Sequence, residues 1–312
     1  MSHPALALEA VELSLGYDDT AVFTDLNLGI AHGTITTLIG ANGSGKSTLL
    51  KAFGRLLPAQ AGHVRLSGTP IGRLSARAVA RELAILPQKP LTPAATSVRD
   101  LVMRGRHPHQ SLLKPWTPAD AHKVAAAIDA TGLGDVADRD VNSLSGGQLQ
   151  RAWIALVLAQ ETPTILLDEP TTFLDLAHQL DVLRLVRDIN NERGSTIVMV
   201  LHDLGLAARY SDRLVVVHEG GILADGAPWD VLTPEVLRLA FGLEALVIPD
   251  PSTGTPLVVP VEPLLATRPM DAIAPMGAIT GSTAATTGPI GVAMGSVGAA
   301  TGSVGTTTEM VA

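Results

Sequence analysis

"TITTLIGANGSGKSTLLKAF", Thr34–Phe53, is the stretch on which the fold turns. Its opening, "TITTLIG", is β-branched and apolar and reads as a short strand, while its close, "KSTLLKAF", reads as a helix. Between them, Gly40-Ala41-Asn42-Gly43-Ser44-Gly45-Lys46-Ser47-Thr48 fits the phosphate-loop pattern. Glycines let backbone N–H groups turn inward around a polyphosphate, and the helix starting near Lys46 points its positive end at it. In that pattern Lys46 reaches the β- and γ-phosphates and Ser47 holds Mg²⁺. Strand, loop and helix together make half of a parallel α/β unit.

Upstream, "LALEAVELSL" and "AVFTDLNLGI" alternate apolar and polar residues, which predicts antiparallel strands with one buried face. Downstream, "GHVRLSG" and "LAILPQ" predict further strands. From about Thr96 to Gln160 the pattern turns helical, in "SVRDLVMRGR", "TPADAHKVAAAIDATGL" and "SGGQLQRAWIALVLAQ", with Thr117-Pro118 supplying an N-cap and a proline at the first helical position. This predicts a helical subdomain, over about 89–162, inserted into an α/β core. The core resumes with strand "TILLD", a helix from Leu174 to about Arg193, strand "STIVMVL", a helix over Asp203–Tyr210 and strand "RLVVVHEGG". Alternation at this spacing predicts a mostly parallel sheet. Residues 261–312 are Gly/Ala/Thr-rich and nearly uncharged. With few large side chains to offset ordering entropy, they predict a disordered tail after a single domain over 1–260.

The formal net charge is −8 with no basic cluster, so the expected partners do not include nucleic acid. The absence of cysteine excludes disulfides, thiolate nucleophiles and Cys-based metal sites. No apolar run approaches the roughly 18 residues of a spanning helix. The N-terminus has acids where a signal peptide carries basic residues, so the expectation is a cytoplasmic protein whose membrane role is peripheral.

Further residues carry possible chemistry. Asp168-Glu169 ends the apolar strand "TILLD", expected on a strand flanking the phosphate loop; the first carboxylate of such a pair anchors Mg²⁺ and the second polarises an attacking water. His202 stands at the tip of another predicted core strand, where ligands collect, and is either a γ-phosphate contact or a packing residue. Gln88 follows a strand in a loop and by itself signals little. Tyr17, beyond an edge strand, either stacks on a base or is a partly buried core residue. His107 and His109 are separated by a proline with no third ligand evident, so they do not read as a metal pair.

Taken in order, the phosphate loop, Gln88, "LSGGQ", "ILLDEP" and His202 closely resemble the ATP-binding cassette (ABC) ATPases, over roughly residues 4–260. The resemblance implies a P-loop NTPase fold with a RecA-like core, an N-terminal antiparallel β-subdomain and an inserted α-helical signature subdomain. It also implies ATP and Mg²⁺ as ligands. Tyr17 takes the family's adenine-stacking position, Gln88 its Q-loop and a place at the metal, Glu169 the catalytic base, His202 the switch histidine and Asp175 the D-loop. Ser145, Gly146, Gly147 and Gln148 form the signature, whose helix N-terminus makes an anion site. In this family that site grips the γ-phosphate of ATP bound to the opposite subunit, so the resemblance implies a dimer with shared sites.

One cassette without zinc-bearing or coiled-coil insertions argues against DNA-maintenance and two-cassette translation ATPases. Glu169 and Lys46 argue against a non-hydrolysing module. An exporter subunit fits less well, since many exporters fuse cassette and membrane domain. "LDEPTTFLDLAHQLDVL" and "RGRHPHQ" resemble the ATPases of ferric-siderophore importers, with haem or vitamin B12 import as the alternative. That reading implies membrane permease subunits, docked near residues 86–110, and, indirectly, a ferric-siderophore binding protein. Leu149 departs from the Arg of many relatives, removing one possible surface contact.

Overall fold

The computed structural model describes residues 6–18, 20–90, 95–110, 116–172 and 174–261. Apart from Val261, the expected disordered tail lies outside them. In chain order the elements are β1 (Leu6–Tyr17), β2 (Thr20–Ala31), β3 (Ile35–Ile39), α1 (Lys46–Phe53), β4 (Ala61–Leu66), β5 (Thr69–Pro70), α2 (Ala76–Glu82) and β6 (Leu83–Leu86). Then come α3 (Val98–Met103), α4 (Pro118–Ala130), α5 (Gly146–Gln160), β7 (Thr164–Asp168), α6 (Leu176–Arg193), β8 (Thr196–Val200) and α7 (Leu204–Tyr210). The last are β9 (Arg213–His218), β10 (Gly221–Gly226), α8 (Pro228–Val231), α9 (Pro234–Phe241), β11 (Ala245–Pro249) and β12 (Pro256–Pro260).

Strands β3, β7 and β8 are buried at every position. Such runs suit central parallel strands covered on both faces. They form a six-stranded sheet in the order β10-β9-β3-β8-β7-β6, parallel except for the edge pair β9–β10. Alternate residues feed two separate cores. Ile35, Ile39, Ile165, Leu167, Ile197 and Met199 face the helices α3–α7. Leu38, Leu166, Val198 and Val200 face α1 and the antiparallel sheet β2-β1-β4-β5, through Leu49, Leu50, Phe53, Leu8 and Leu13. Helix α1 is thus held between two sheets, which fixes the loop that precedes it.

One expectation fails here. Strand β7, which ends at Asp168 just before Glu169, does not flank β3, because β8 stands between them. Strands close in sequence pair as neighbours, so β6, β7 and β8 are laid down from the sheet edge inward, and only the last can reach β3. The chain then crosses over β3 to add β9, and the resulting reversal of strand order opens a crevice at the carboxyl ends. The helix expected from Leu174 begins instead at Leu176, since Asp175 is extended and its carboxylate caps the N–H of His178.

The helical region packs through Leu101, Val102, Val124, Ile128 and Ala155, and the same apolar cluster continues into the sheet at Ile39 and Leu167. Thr117 and Asp120 form a full capping box with Pro118 at the first turn of α4. "RGRHPHQ" is partly turned inward. Arg106 is only 3% exposed and bonds Asp120 Oδ1 (2.9 Å), the Ala159 carbonyl (2.7 Å) and Glu161 Oε2 (3.2 Å). A ring nitrogen of His109 meets the Gln160 carbonyl at 2.8 Å. Leu149, the residue after the signature, packs against the helical core.

Asp120 has a pKa of about 2, lowered first by the Thr117 hydroxyl and then, against the opposing effect of burial, by Arg106. Its contribution to stability is therefore present above the ordinary carboxylate range and lost as pH falls through about 2. Replacing Arg106 leaves a buried carboxylate without its cation. We expect Arg106→Met to lower the unfolding free energy by about 3 kcal/mol, read from the urea midpoint at neutral pH.

Candidate functional site

The register of the parallel strands sets the site. Leu38 pairs with Val200 and Val200 with Asp168, so three strands end at one level and deliver Gly40, His202 and Glu169 to one crevice. The crevice is a cleft of about 330 Å³ lined by Tyr17, Val22, Asn42, Gly43, Gly45, Lys46, Ser47, Thr48, Glu169 and His202.

The phosphate loop is built on conformations open to glycine. At Gly40, φ is 149° and a Cβ would stand 2.2 Å from the Val217 carbonyl oxygen. Lys46 is buried and its Nζ donates to the carbonyls of Gly40 (2.9 Å) and Ala41 (2.8 Å), with Ser44 Oγ at 3.4 Å. Burial pushes its amine below the usual lysine range, although Glu169 and Asp168 pull in the opposite direction. Ser47 Oγ donates to Asp168 Oδ1 at 2.8 Å, linking α1 to β7 across the intervening strand. Asp168 is pushed up, first by burial and further by the Glu169 charge, with the Ser47 hydroxyl opposing.

Glu169 follows β7 with left-handed backbone (φ 52°), a conformation costing a non-glycine residue about 1–2 kcal/mol. It persists because the carboxylate is held from three sides. His202 Nε2 lies 2.7 Å from Oε1, Gln88 Nε2 donates to Oε2 at 2.6 Å, and Thr172 Oγ donates to Oε2 at 2.9 Å. Burial would raise this carboxyl, but the three partners outweigh it, and its pKa lies below the usual glutamate range.

Of the residues singled out in the sequence, Asn42, Gly43, Gly45, Lys46, Ser47, Thr48, Tyr17, Glu169 and His202 share the cleft. Gln88 and Asp168 join it through hydrogen bonds, and Gly40, Ala41 and Ser44 through Lys46. His202 is therefore no packing residue, and Tyr17 is no core residue, being 45% exposed at the rim. The signature does not line this cleft. Ser145 caps α5 in a reciprocal box with Gln148 (3.3 and 3.1 Å), and Gly146 is exposed. Asp175 lies at the start of α6. Thr172 was not legible as a site residue, because a threonine in "EPTT" gives no sign that its hydroxyl returns to Glu169. Among the described residues no group of three or more His, Asp or Glu could hold a metal ion. The oxygen pair Ser47–Asp168 suits a hard cation that takes its remaining ligands from elsewhere.

Known proteins are similar to this chain in sequence and in fold. The ABC transporter family model matches residues 23–172. The achromobactin transport ATP-binding protein of Dickeya dadantii (strain 3937) is 49% identical over 254 residues, covering 81% of this chain and 94% of the relative. This chain belongs to the ABC transporter family, among its ATP-binding proteins. The ferric enterobactin transport ATP-binding protein of Escherichia coli (strain K12) is 46% identical over 261 residues, covering 84% and 96% of the two chains. A cobalamin import ATP-binding protein of Halobacterium salinarum (strain NRC-1) is 41% identical over 256 residues, 82% of this chain and 64% of that one. Among solved structures, an inward-facing ABC transporter assigned to the metal-chelate type aligns with a TM-score of 0.71 at 29% identity, covering 83% of this chain and 98% of that one. A dimeric ATP-binding cassette in a post-hydrolysis state with ADP and phosphate aligns at 0.63 and 26% identity, covering 70% and 98%. The fold of this ABC protein is thus the mixed α/β fold of the P-loop ATPases. No helix among its described residues is long and apolar enough to cross a membrane.

The depressed Glu169 pKa gives a direct test. The carboxylate stays ionised above its pKa and is lost as pH falls through it. Carbon-detected NMR titration should find this midpoint below the usual glutamate value. Thr172→Val removes one lowering hydrogen bond, so the midpoint should move up; an unchanged midpoint would remove Thr172 from the site.

Proposed function

We propose that this protein is the ATP-hydrolysing subunit of an importer that takes up iron(III)–siderophore complexes. The observation that carries hydrolysis is the ionised Glu169 carboxylate, held by His202, Gln88 and Thr172 beside the phosphate loop. The cargo reading is supported by relatives named for achromobactin and ferric enterobactin, at 49% and 46% identity. The cobalamin relative is more distant and matches over less of its own length, so vitamin B12 import, like haem import, is the weaker alternative.

The chemistry follows from the residues. Backbone N–H groups over Gly40–Thr48 surround the β- and γ-phosphates of ATP, and Lys46 exchanges its carbonyl partners for phosphate oxygens. Tyr17 stacks on the adenine at the rim. Ser47, Asp168 and the Gln88 carboxamide are the oxygen donors that fit Mg²⁺, which neutralises phosphate charge when bound. Glu169 accepts a hydrogen bond from the attacking water and orients it. The water oxygen bonds to the γ-phosphorus as the bond to the β-phosphate oxygen breaks, and the proton passes to the carboxylate, leaving ADP and phosphate. His202 contacts the γ-phosphate.

Ser145, Gly146, Gly147 and Gln148 belong to the other half of the reaction. The helix-terminal N–H groups of Gly146 and Gly147, which the reciprocal Ser145–Gln148 box does not use, grip the γ-phosphate held by a second copy of the chain, and Asp175 lies at the junction. The dimer docks on integral-membrane permease subunits at the cytoplasmic face of the membrane. It meets a ferric-siderophore binding protein only through them, and nucleic acid is not a partner.

Glu169→Gln should bind ATP, form a stable dimer by gel filtration and lose turnover; near-normal phosphate release would refute the base assignment. Lys46→Ala should abolish binding of a fluorescent ATP analogue. In a strain lacking the protein, uptake of ⁵⁵Fe-labelled siderophores should fail while uptake of radiolabelled vitamin B12 continues. The reverse pattern would transfer the protein to the alternative cargo.

A further inference from the structure

The imidazole of His178 lies against the backbone of the signature turn. A Cβ on Gly147 would stand 2.8 Å from His178 Cδ2, 3.2 Å from Cγ and 3.3 Å from Nε2. Only a residue without a side chain allows the ring so close. Gly147 is buried although its neighbours Ser145 and Gly146 are exposed. Its N–H belongs to the first turn of α5, where backbone donors have no partner within the helix. Ser145 Oγ satisfies the N–H of Gln148, and those of Gly146 and Gly147 take no part in this cap.

The ring is itself fixed. Asp175 Oδ1 accepts the backbone N–H of His178 at 2.9 Å and pairs with its Nδ1 at 2.7 Å. Behind Asp175 the chain is tied back to the cleft. Gln179 Nε2 donates to the Leu174 carbonyl (2.9 Å), Leu174 N to Thr171 O (3.3 Å) and Thr172 N to Glu169 O (3.2 Å). A short hydrogen-bonded segment therefore separates the carboxylate of one ATP site from the turn that serves another.

We propose that His178 is a positioning residue for the shared ATP site: oriented by Asp175, its ring is the spacer that sets the height of the signature N–H groups at Gly146 and Gly147. The proposal rests on the reading of the signature as half of a partner's site. A cap alone needs only the carboxylate of Asp175; the ring stacked on Gly147 serves the position of α5. Flat shape and size are what the ring supplies, so Phe can replace it where Ala cannot.

The test uses the full chain in the Glu169→Gln background, with ATP-driven dimerisation followed by analytical ultracentrifugation. His178→Ala should weaken dimerisation at least about tenfold, while ADP affinity of the monomer and the unfolding midpoint stay at the parent's values. His178→Phe should restore dimerisation to within about threefold of the parent. Gly147→Ala should weaken dimerisation alone, and its combination with His178→Ala should cost less than the product of the two effects, because the added methyl then meets no ring. Parent-like dimerisation by His178→Ala, an equal loss of ADP affinity, failure of the Phe rescue or strictly multiplicative effects would each overturn the assignment. If the Glu169→Gln parent itself stays monomeric with ATP, the shared-site reading falls and takes the proposal with it, an outcome distinct from any failure of the His178 variants.

Discussion

The hydrogen bond from Ser47 to Asp168 spans a strand that belongs to neither residue's element, and the site depends on it. Ser47 lies in the first turn of the helix after β3, Asp168 ends β7, and β8 lies between them. The two oxygens meet only because three parallel strands finish at the same level, with Leu38, Val200 and Asp168 in register. Burial on both faces enforces that register. A slip by one residue would exchange the side chains feeding one core with those feeding the other.

Around this fixed frame the charged groups are arranged in opposite senses. Lys46 and Asp168 both sit where burial disfavours their charged forms, so each is drawn to a counter-charge. Glu169, one residue further on, is instead stabilised as an anion by three hydrogen-bonding partners. Adjacent carboxylates thereby acquire different properties, one shielded beside the phosphate loop and the other available to polarise a water. The left-handed backbone at Glu169 turns its side chain away from that of Asp168 and towards Gln88, Thr172 and His202.

Much of this was legible because short-range rules govern it. The glycine spacing of the phosphate loop, the apolar runs of β3, β7 and β8, and the Thr117-Pro118 cap each act within one element. Partner choice between strands was not legible: nothing local to "TILLD" states that "STIVMVL" will come between it and the phosphate loop. The return of Thr172 to Glu169, the inward anchoring of Arg106 and the ring of His178 beneath Gly147 were hidden for the same reason. Each depends on where a second element lies.

The sequence by itself determined the chemical parts and their order: the loop that wraps a phosphate, the acids after an apolar strand, and a helix start stripped of side chains. Those are consequences of backbone freedom, helix polarity and hydrophobic period, and all are written in neighbouring residues. Only the tertiary structure decided which parts share a cleft. It brought Tyr17, Lys46, Glu169 and His202 together and left Ser145–Gln148 facing elsewhere, because sheet order and register are set by packing across the whole core.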